Sequence, residues 1–527
     1  MTLSRRSLVA APLALPALQV GGAHAQTPPD VVVMARHIGD IISLDPAEAY
    51  EFSSNEVCTN CYRKLIRPDG ATVRGDLAER WEVSPDALRY TFYLRAGQSF
   101  VGGAPVTAED AAFSLQRAIL LGKAASFILT QFGFNKDNVH SLIRATDERT
   151  LIVELPEARA TSFVLYCLSA NVASIVEKAR VMANERAGDM GNQWLKSNSA
   201  GAGPYRIAGY NANEQVTLVA NPNYAVAVPV RRILIRHVPD SSVQFLMLQR
   251  GDADIARDLD ADRLRALRSD ANFTLVSSAQ GTQMYVAMNT SVPELSKPQV
   301  HEAVKWAIDY DGIAANVTPG TWSVHQAFLP AGMPGAITDR PYTRDIPRAK
   351  RLLAEAGYPD GFAIELDHYG SPPFFDVAQA LQRNLAEIGI RASLLSADPR
   401  QVLTKSRNRT TKMVLLRWST DYFDPNSNAQ YFCENSDNSE NNQLRVMAWR
   451  LHWMDQQLTA GARAAVREHD PAKRLATYEQ MQRAFLQRAP VAFMLQRNEI
   501  AALRRGVSGL QIGLTADYTR YESLRKG

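Results

Sequence analysis

The residues best suited to bind a ligand are Trp418-Ser419-Thr420-Asp421, which follow the apolar run Met413 to Leu416. A carboxylate at the mouth of an apolar strand costs free energy unless it is exposed to water or paired with a partner. Asp421 is therefore the first candidate for a ligand-binding group. The alternative is that it caps a turn with Asp424-Pro425-Asn426, since acids are common in exposed loops.

Aromatic residues form a second group of candidates. Phe374, Phe375, Tyr422 and Trp418 could together line an aromatic pocket, which is a usual lining for a small-molecule site. The alternative for each ring is packing in the hydrophobic core. The sequence leaves both possibilities open.

No motif in the chain points to an enzyme, a metal site or a cofactor site. The chain has no GxSxG and no Walker loop, and His301-Glu302 lacks the second histidine of HExxH. The fragment Gly201-Ala202-Gly203 does not complete GxGxxG. A lone histidine such as His368 is more often packed or on the surface than a metal ligand. We therefore expect no catalytic residue, no metal and no cofactor.

The four cysteines could be disulfide partners if the protein is exported. Cys58 and Cys61 form a CxxC, while Cys167 and Cys433 are distant in the sequence. A redox CxxC needs a thioredoxin-like βαβ context, and a zinc site needs more ligands nearby. The sequence shows neither, which leaves a structural disulfide or buried thiols, with the pairing open.

Size and charge narrow the class of protein. The chain has 527 residues, of which 46% are hydrophobic and 21% charged, and this length predicts at least two lobes. The formal charge is +4, but residues 1–25 contain Arg5 and Arg6 without an acid, so the remainder carries 56 basic and 54 acidic residues. This balance gives no electrostatic basis for binding nucleic acid or an anionic membrane.

Residues 1–25 have the pattern of a targeting segment. Arg5-Arg6 precede an apolar stretch from Leu8 to Val20, and Ala23-His24-Ala25 supplies the small residues of a cleavage site. The paired arginines favour the twin-arginine route, and an ordinary secretory signal is the alternative. Both predict export with cleavage after Ala25. No later stretch approaches 18 uninterrupted apolar residues, so we expect a soluble mature protein.

The elements that must position the candidate residues alternate between short strands and amphipathic helices, which predicts an α/β fold. Thr107 to Asp110 has the pattern of a capping box, and Asp345 and Asp470-Pro471 mark two further helix starts. The polar segment Cys433 to Gln443 is predicted to lie on the surface. Strands are predicted at residues 90–94, 151–155, 216–219, 233–235 and 413–416.

Short motifs follow one another along nearly the whole chain after residue 25. They are Leu44-Asp45-Pro46, Asp76 to Ser84, Leu94 to Gly97, Pro105 to Asp110, Gly203-Pro204-Tyr205, Asn221 to Tyr224, Gly251 to Asp254, Val300 to Asp309 and Ala349 to Tyr358. Each motif alone is weakly specific, but together, in this order and at these separations, they are strongly specific. The chain resembles the family-5 extracellular solute-binding proteins of ABC importers, of the dipeptide- and oligopeptide-binding type.

This resemblance implies a two-lobe periplasmic-binding-protein fold of type II, with an extra subdomain on the first lobe. Two strands that cross near residues 283–290 and 489–497 would form the hinge. Such lobes close around a ligand when a few residues change φ and ψ. The implied divisions are 26–61, 190–285 and 490–527 for lobe I, 62–189 for the extra subdomain, and 286–489 for lobe II.

The resemblance also implies roles for candidate ligand residues. In peptide-binding members a W-x-x-D motif supplies the carboxylate that binds the α-ammonium of the ligand, and Trp418 and Asp421 fit that motif. A charge-assisted hydrogen bond of this kind inside a closed cleft contributes roughly 1.5–3 kcal/mol. Arg417 and Ser419 flank the motif and would offer backbone hydrogen bonds to a peptide-like ligand.

Two further segments matter in this comparison. The loop Tyr50 to Asn55 lies where members of the family line the cleft, which makes Ser53 and Ser54 ligand candidates; the alternative is a helix start with either serine as its N-cap. Where dipeptide-binding members carry R-P-Y, this chain has Pro372-Pro373-Phe374. Phe374 keeps the aromatic position, but a proline cannot bind the ligand's carboxylate. Either another cation binds it, or the ligand has no such group.

These features predict a periplasmic solute-binding protein, not an enzyme, that captures a peptide-like or other amine-bearing small molecule by hinge closure. It would deliver the solute to ABC permease and ATPase subunits, act as a monomer and bind no nucleic acid. A binder of a sugar, an opine or a metal chelate on the same fold is one alternative, and a secreted hydrolase is another.

Overall fold

The computed structural model describes residues 27–70 and 72–527, so the predicted signal segment lies outside the described residues. The described chain is mixed α/β. Its strands are β1 (Val31–Arg36), β2 (Ile66–Asp69), β3 (Thr72–Gly75), β4 (Ala78–Val83), β5 (Arg89–Leu94), β6 (Ile143–Ala145), β7 (Thr150–Glu154), β8 (Tyr205–Asn211), β9 (Gln215–Ala220), β10 (Arg232–His237), β11 (Ile255–Ala256), β12 (Phe273–Met288), β13 (Trp322–Val324), β14 (Ala363–Tyr369), β15 (Arg391–Ala397), β16 (Met413–Ser419), β17 (Val491–Arg504), β18 (Val507–Ser508) and β19 (Arg525–Lys526).

The helices connect these strands and cover the sheets. They are α1 (Phe52–Cys61), α2 (Ala108–Leu121), α3 (Phe127–Thr130), α4 (Val139–Leu142), α5 (Thr161–Leu168), α6 (Lys178–Met182), α7 (Asn192–Leu195), α8 (Ser241–Arg250), α9 (Ala261–Arg268), α10 (Pro298–Ala307), α11 (Tyr310–Asn316), α12 (Ile346–Glu355), α13 (Phe374–Glu387), α14 (Pro399–Arg407), α15 (Asn426–Cys433), α16 (Met447–Arg450), α17 (Gln456–Ala465) and α18 (Pro471–Arg488).

The largest sheet contains two groups of parallel strands. Its order is β15-β14-β16-β12-β17-β11-β1-β10-β9-β8, and β13 pairs with β17 outside this path. On one side β1 is parallel to β10 and β11, and on the other β14 is parallel to β15 and β16. Parallel pairing requires crossover connections, which the intervening helices supply. The two groups are the sheets of two lobes.

The long antiparallel strands β12 and β17 run between the lobes and belong to both. Their register shifts between Ala279 and Gln283, so the ladder is interrupted at the point where the lobes meet. The N–H of Gly281 donates there to the carbonyl of Leu514 at 2.7 Å. A Cβ at this glycine would lie 3.2 Å from the same oxygen, which is tight for any larger residue. Interruptions of this kind bend a strand locally.

Buried apolar side chains form three large clusters. One fills the lobe around β14 and β16 and their helices. A second packs α2 and α5 against the four-stranded sheet β4-β5-β7-β6. The third packs α1 against the side of the large sheet that contains β1, β8, β9 and β10. The chain therefore consists of two lobes and an extra subdomain with a core of its own.

The local predictions at helix starts and strands are confirmed. Thr107 Oγ1 accepts from Asp110 N–H at 3.2 Å, and the carboxylate of Asp110 accepts from Thr107 N–H at 3.1 Å, which completes the capping box of α2. Asp345 and Asp470 accept hydrogen bonds as the N-caps of α12 and α18. The five predicted strands coincide with β5, β7, β9, β10 and β16, with shifts of a few residues at their ends.

The prediction that Cys433 to Gln443 lies on the surface is wrong at its start. Cys433 ends α15 and is 1% exposed, and Asn435 is 2% exposed. The amide of Asn435 donates to Trp453 O at 2.9 Å and to Asn438 Oδ1 at 2.7 Å. A polar residue can be buried when such bonds satisfy it, which residue type alone does not reveal.

Within the described residues, no single helix is long and apolar enough to cross a membrane. The segments Ala108–Leu121 and Ala124–Thr130 satisfy that requirement only as a pair, and they are bent by 113°. Their apolar side chains belong to the core of the extra subdomain.

Candidate ligand-binding site

A cavity of about 900 Å³ lies between the two lobes. One wall follows the carboxyl end of β11 and includes Tyr50, and the other follows the carboxyl ends of β14 and β16. Ligands of open α/β sheets bind outside these strand ends. A small-molecule site typically has a volume of about 300–1,000 Å³. The cavity therefore has the size and place of a site whose ligand touches both lobes.

Asp421 lies two residues beyond β16 and lines this cavity. Its carboxylate accepts a hydrogen bond from Tyr50 Oη at 2.5 Å, and Tyr50 belongs to the opposite lobe. Burial raises the pKa of Asp421 to about 7, although the Tyr50 hydrogen bond opposes this shift. Burial, together with the neighbouring carboxylate of Asp421, raises the pKa of Tyr50 well above its usual value. Asp421 is thus a half-buried acid whose ionised form has no cationic partner among the described residues.

The turn after β16 is held by other groups than the carboxylate of Asp421. The N–H of Asp421 donates to Ser427 Oγ at 3.0 Å. The carboxylate of Asp424 accepts from Asn426 N–H at 2.8 Å and pairs with Arg474 at 2.7 Å. The side chain that caps this turn is therefore that of Asp424, and the Asp421 carboxylate remains directed toward the cavity.

A flat aromatic surface lies beside Asp421. The rings of Trp418 and Tyr431 stack with centroids 3.5 Å apart and an interplanar angle of 15°, and both line the cavity. Arg450 donates to Tyr431 Oη at 2.9 Å. Phe374 also lines the cavity, but it is only 4% exposed and meets Tyr369 edge-on. Trp418 supplies a half-buried ring face to the cavity and the buried Tyr431 stacks against it, whereas Phe374 belongs mainly to the core.

The strand edge next to Asp421 is open. β14 pairs with β16 only as far as Leu415, whereas β12 pairs with it as far as Ser419. On the side that faces away from β12, the backbone from Leu416 to Ser419 has no strand partner among the described residues. Ser419 lines the cavity, and its hydroxyl lies 2.9 Å from Thr282 Oγ1 on β12. An extended ligand could hydrogen-bond along this edge.

A smaller chamber of about 220 Å³ adjoins the cavity at the hinge. An ion-pair network forms one wall: Arg257 bonds Glu56 at 2.9 Å and Glu499 at 2.7 Å, and Arg36 bonds Glu56 at 2.5 Å. Burial alone would raise the pKa of Glu56, but Arg257 and Arg36 hold it at about 2. The two spaces share the lining residues Arg257, Asp258, Arg417, Ser419 and Arg497.

Arg417 lies on β16 and lines both spaces. Its guanidinium makes no hydrogen bond or ion pair with any residue that the structure describes. Desolvation by the surrounding cleft and repulsion from Arg497 lower its pKa, and the nearby Tyr369 and Asp40 oppose this shift. The Arg417 side chain is exposed to the cleft, so it is a cation at the rear of the cleft that no described side chain bonds.

The two serine candidates lie in the first turn of α1, which begins at Phe52. The alternative for these serines, a helix start with either serine as its N-cap, is right about the helix and wrong about the cap: Glu51 holds the N-cap position, and the carboxylate of Asp40 accepts the N–H of Ser53 at 3.2 Å. Asp40, an acid from another segment, thus accepts the backbone N–H that an N-cap side chain would otherwise accept. Ser53 lines the hinge chamber, whereas Ser54 is fully buried and bonds Glu51 at 3.1 Å, away from both spaces.

Tyr422 does not reach either space. It is 1% exposed, and its ring packs against Phe127 and Phe163 of the extra subdomain. Successive residues point in different directions beyond β16, so Asp421 faces the cavity while Tyr422 faces that core. Phe375 is 38% exposed and lies outside the cavity lining. The predicted group of four aromatics is therefore not brought together.

Sequence reasoning missed several lining residues, above all Tyr50, Tyr431 and Arg497. Tyr50 begins the loop that was singled out for its serines. Tyr431 and Arg497 lie on α15 and β17, and no local motif marks them. Their position depends on how the lobes meet, which only the tertiary structure shows.

The four cysteines are buried thiols. Cys58, Cys61, Cys167 and Cys433 are free and buried, so the structure contains buried thiols and not the structural disulfide that was the other possibility. Burial raises the pKa of all four thiols. In residues 27–70 and 72–527, no group of three His, Cys, Asp or Glu side chains is placed to hold a metal ion.

Known proteins similar to this chain share its architecture. A periplasmic binding protein associated with an ABC transporter from Helicobacter pylori, solved in complex with the peptide STSA, superposes with a TM-score of 0.77. It is 23% identical, and the match covers 94% of this chain and 98% of that chain. This likeness shows the two-lobe fold of the periplasmic binding proteins.

Sequence relatives extend the likeness over nearly the full length. A probable D,D-dipeptide-binding periplasmic protein of Escherichia coli is 27% identical over 495 residues, 92% of each chain. Di/tripeptide-binding protein 2 of Pseudomonas aeruginosa is 28% identical over 469 residues, which is 84% of this chain and 85% of the relative. The family model described as bacterial extracellular solute-binding proteins, family 5 Middle, matches residues 72–440. The chain therefore belongs to family 5 of the bacterial extracellular solute-binding proteins.

Proposed function

We propose that this protein captures a small peptide-like solute by its ammonium group and delivers it to the permease and ATPase subunits of an ABC importer. The observation that carries the proposal is Asp421, a half-buried acid with a raised pKa that lacks a cationic partner among the described residues and faces the interlobe cavity. A bound ammonium would supply that partner. It would also add contacts to both lobes, which favours the closed form over the open one.

The open edge of β16 supports a peptide-like solute in particular. A peptide that lies along Leu416 to Ser419 would present its own N–H and C=O groups to unpaired backbone groups of the strand. The stacked rings of Trp418 and Tyr431 would cover one of its side chains. Sugars and metal chelates do not offer this backbone pattern.

The relatives support the same class of solute. Two of them are named for binding dipeptides or tripeptides, and the similar solved structure contains a bound peptide. Their names do not fix the solute of this chain, because clefts of one fold bind different ligands. The chemistry of Asp421 and the strand edge narrows the choice to ligands with an ammonium and a peptide backbone.

The remaining parts of the proposal concern architecture and location. We place the hinge at the register shift around Gly281, where β12 and β17 pass between the lobes. The protein would be exported by residues 1–25, cleaved after Ala25 and active as a monomer in the periplasm. The proposed division is 26–61, 190–285 and 490–527 for lobe I, 62–189 for the extra subdomain, and 286–489 for lobe II.

Titration calorimetry with a panel of free dipeptides tests the proposal. Asp421→Asn removes the negative charge and should weaken binding about 10- to 150-fold, which corresponds to the loss of roughly 1.5–3 kcal/mol. Asp360→Asn, at an exposed acid of the same lobe outside the cavity lining, is the matched control and should bind as the native protein does. Equal affinity of the Asp421 variant would refute the ammonium role, and release of cleaved peptide would refute a pure binding function.

A further inference from the structure

The charged groups around the hinge chamber are paired except for two. Arg36 and Arg257 pair with Glu56, and Arg257 and Arg497 pair with Glu499. Asp258 lies 3.8 Å from Arg497. The two charges that remain in the described lining are Arg417 and Asp40. Asp40 accepts the N–H of Ser53 at 3.2 Å, and its charge raises the pKa of Arg417 without bonding to it, so Arg417 is the charge in this described lining whose side chain has no hydrogen bond or ion pair.

The guanidinium of Arg417 is exposed to the cleft, and Arg497 repels it. The backbone of Arg417 is held within β16 by its pairing with Met284 of β12, so the side chain starts from a fixed point on the cavity wall. A cation in a cleft without a bond of its own is available to an anionic group of a ligand, and the charge-assisted hydrogen bonds that would form are roughly twice as strong as neutral ones.

We infer that Arg417 binds the carboxylate of the solute, so that the solute is a short zwitterion held at its ammonium by Asp421 and at its carboxylate by Arg417. This inference rests on the proposed function and names the solute more closely. A guanidinium matches a carboxylate with two parallel N–H···O bonds. The segment Pro372-Pro373-Phe374 supplies no cation to this cavity, so Arg417 fills the corresponding chemical need from another strand.

The spacing of the two groups sets the size of the solute. Arg417 and Asp421 are four residues apart, which corresponds to at most about 14 Å between their Cα atoms. The long arginine side chain covers part of this distance. At roughly 3.5 Å per residue, a peptide of two or three residues spans the rest.

Two other arginines line the cavity and are weaker candidates. Arg450 already donates to Tyr431 Oη at 2.9 Å and to Arg445 O at 3.1 Å. Arg407 is exposed at the C-terminal end of α14, where the helix carbonyls favour a cation without any ligand. The guanidinium of Arg417 makes no such hydrogen bond, and Arg417 does not lie at the end of a helix.

Calorimetry with chemically blocked dipeptides tests this inference. The probes are Ala-Ala, Gly-Leu and D-Ala-D-Ala, each as the free peptide, as the C-terminal amide and as the N-acetyl peptide. The native protein should bind the amide of a recognised peptide at least tenfold more weakly than the free form. Arg417→Gln should lose at least tenfold for the free peptide and bind free peptide and amide within threefold of each other. Arg383→Gln, at an exposed arginine outside both spaces, is the charge-matched control and should discriminate as the native protein does.

Each other outcome decides against one idea. An amide that binds the native protein as tightly as the free peptide overturns the carboxylate role, and this arm does not depend on the folding of any variant. The assignment to Arg417 is also overturned if Arg417→Gln still distinguishes the free peptide from its amide as the native protein does, or if Arg407→Gln is the variant that loses this distinction. Tolerance of N-acetylation overturns the ammonium role of Asp421 and leaves Arg417 unaffected. If none of the free peptides binds, both proposals fail.

Discussion

Lowering the pH should weaken ligand binding through Asp421. Its pKa of about 7 in the free protein exceeds the usual carboxyl value because the group is buried. An ammonium binds only the ionised carboxylate, and the group is about half ionised at pH 7, one-eleventh at pH 6 and one-hundredth at pH 5. Affinity should therefore fall about fivefold from pH 7 to 6, and about tenfold more from pH 6 to 5.

The ligand itself does not produce this dependence. An α-amino group has a pKa of about 7.7–8.0 and an α-carboxyl group one of about 3.3–3.7, so a dipeptide stays zwitterionic between pH 5 and 7. The histidines at the hinge chamber are His37, which lines it, and His237 beside it, whose pKa is lowered by burial. Asp421→Asn keeps both histidines and should bind weakly with no more than a twofold change over this range.

Calorimetry in buffers of different ionisation enthalpy measures both the affinity and the protons released. Binding should release about half a proton at pH 7 and about nine-tenths of a proton at pH 6, because the carboxyl must ionise. Affinity that changes less than twofold between pH 7 and 5, with no proton released, would refute this account of Asp421. The same dependence in Asp421→Asn would transfer the effect to the histidines.

Three further predictions concern groups near the cleft and the cores. Tyr50→Phe removes the hydrogen bond that holds down the pKa of Asp421, so the midpoint of the calorimetric pH profile should move upward; a midpoint that is unchanged or lower contradicts this. Arg474→Met leaves the buried Asp424 unpaired and should lower the free energy of unfolding in urea by about 3–5 kcal/mol. The control is Arg483→Met on the same helix, whose partner is exposed and whose loss should be less than about 1 kcal/mol. Equal losses in the two variants would contradict the burial argument. The four cysteines should react with a thiol reagent only after unfolding, and fewer than four reactive thiols in denaturant would reveal a disulfide.

The sequence predicts best where the signal is local or where several motifs accumulate. The capping box at Thr107 depends on two side chains three residues apart, and the structure contains both of its bonds. The α/β class and the two-lobe fold follow from many motifs in order, none of which is strong alone. Contacts between distant segments are less accessible. The Asp40 side chain that takes the cap of α1 and the Tyr50 hydroxyl that meets Asp421 come from elsewhere in the chain.

The candidate site shows the same division. The position of Asp421 follows from an apolar strand that ends two residues before it. That Tyr422 turns away into another core could not be predicted, because the chain leaves the regular alternation of a strand at that point. The lack of a partner for Arg417 depends on which acids the folded lobes bring near it, and these acids lie on segments far apart in the sequence.

The central claim is that two lobes close over a solute that contacts both. Small-angle X-ray scattering tests this claim most directly. The protein is first unfolded, freed of ligand and refolded, and it is then measured with and without a saturating concentration of a dipeptide that calorimetry has identified. The account predicts a smaller radius of gyration for the native protein when the dipeptide is bound. At the same dipeptide concentration, Asp421→Asn should keep the larger radius of gyration of the ligand-free native protein. Identical scattering of the native protein with and without a dipeptide that calorimetry shows to be bound would contradict it.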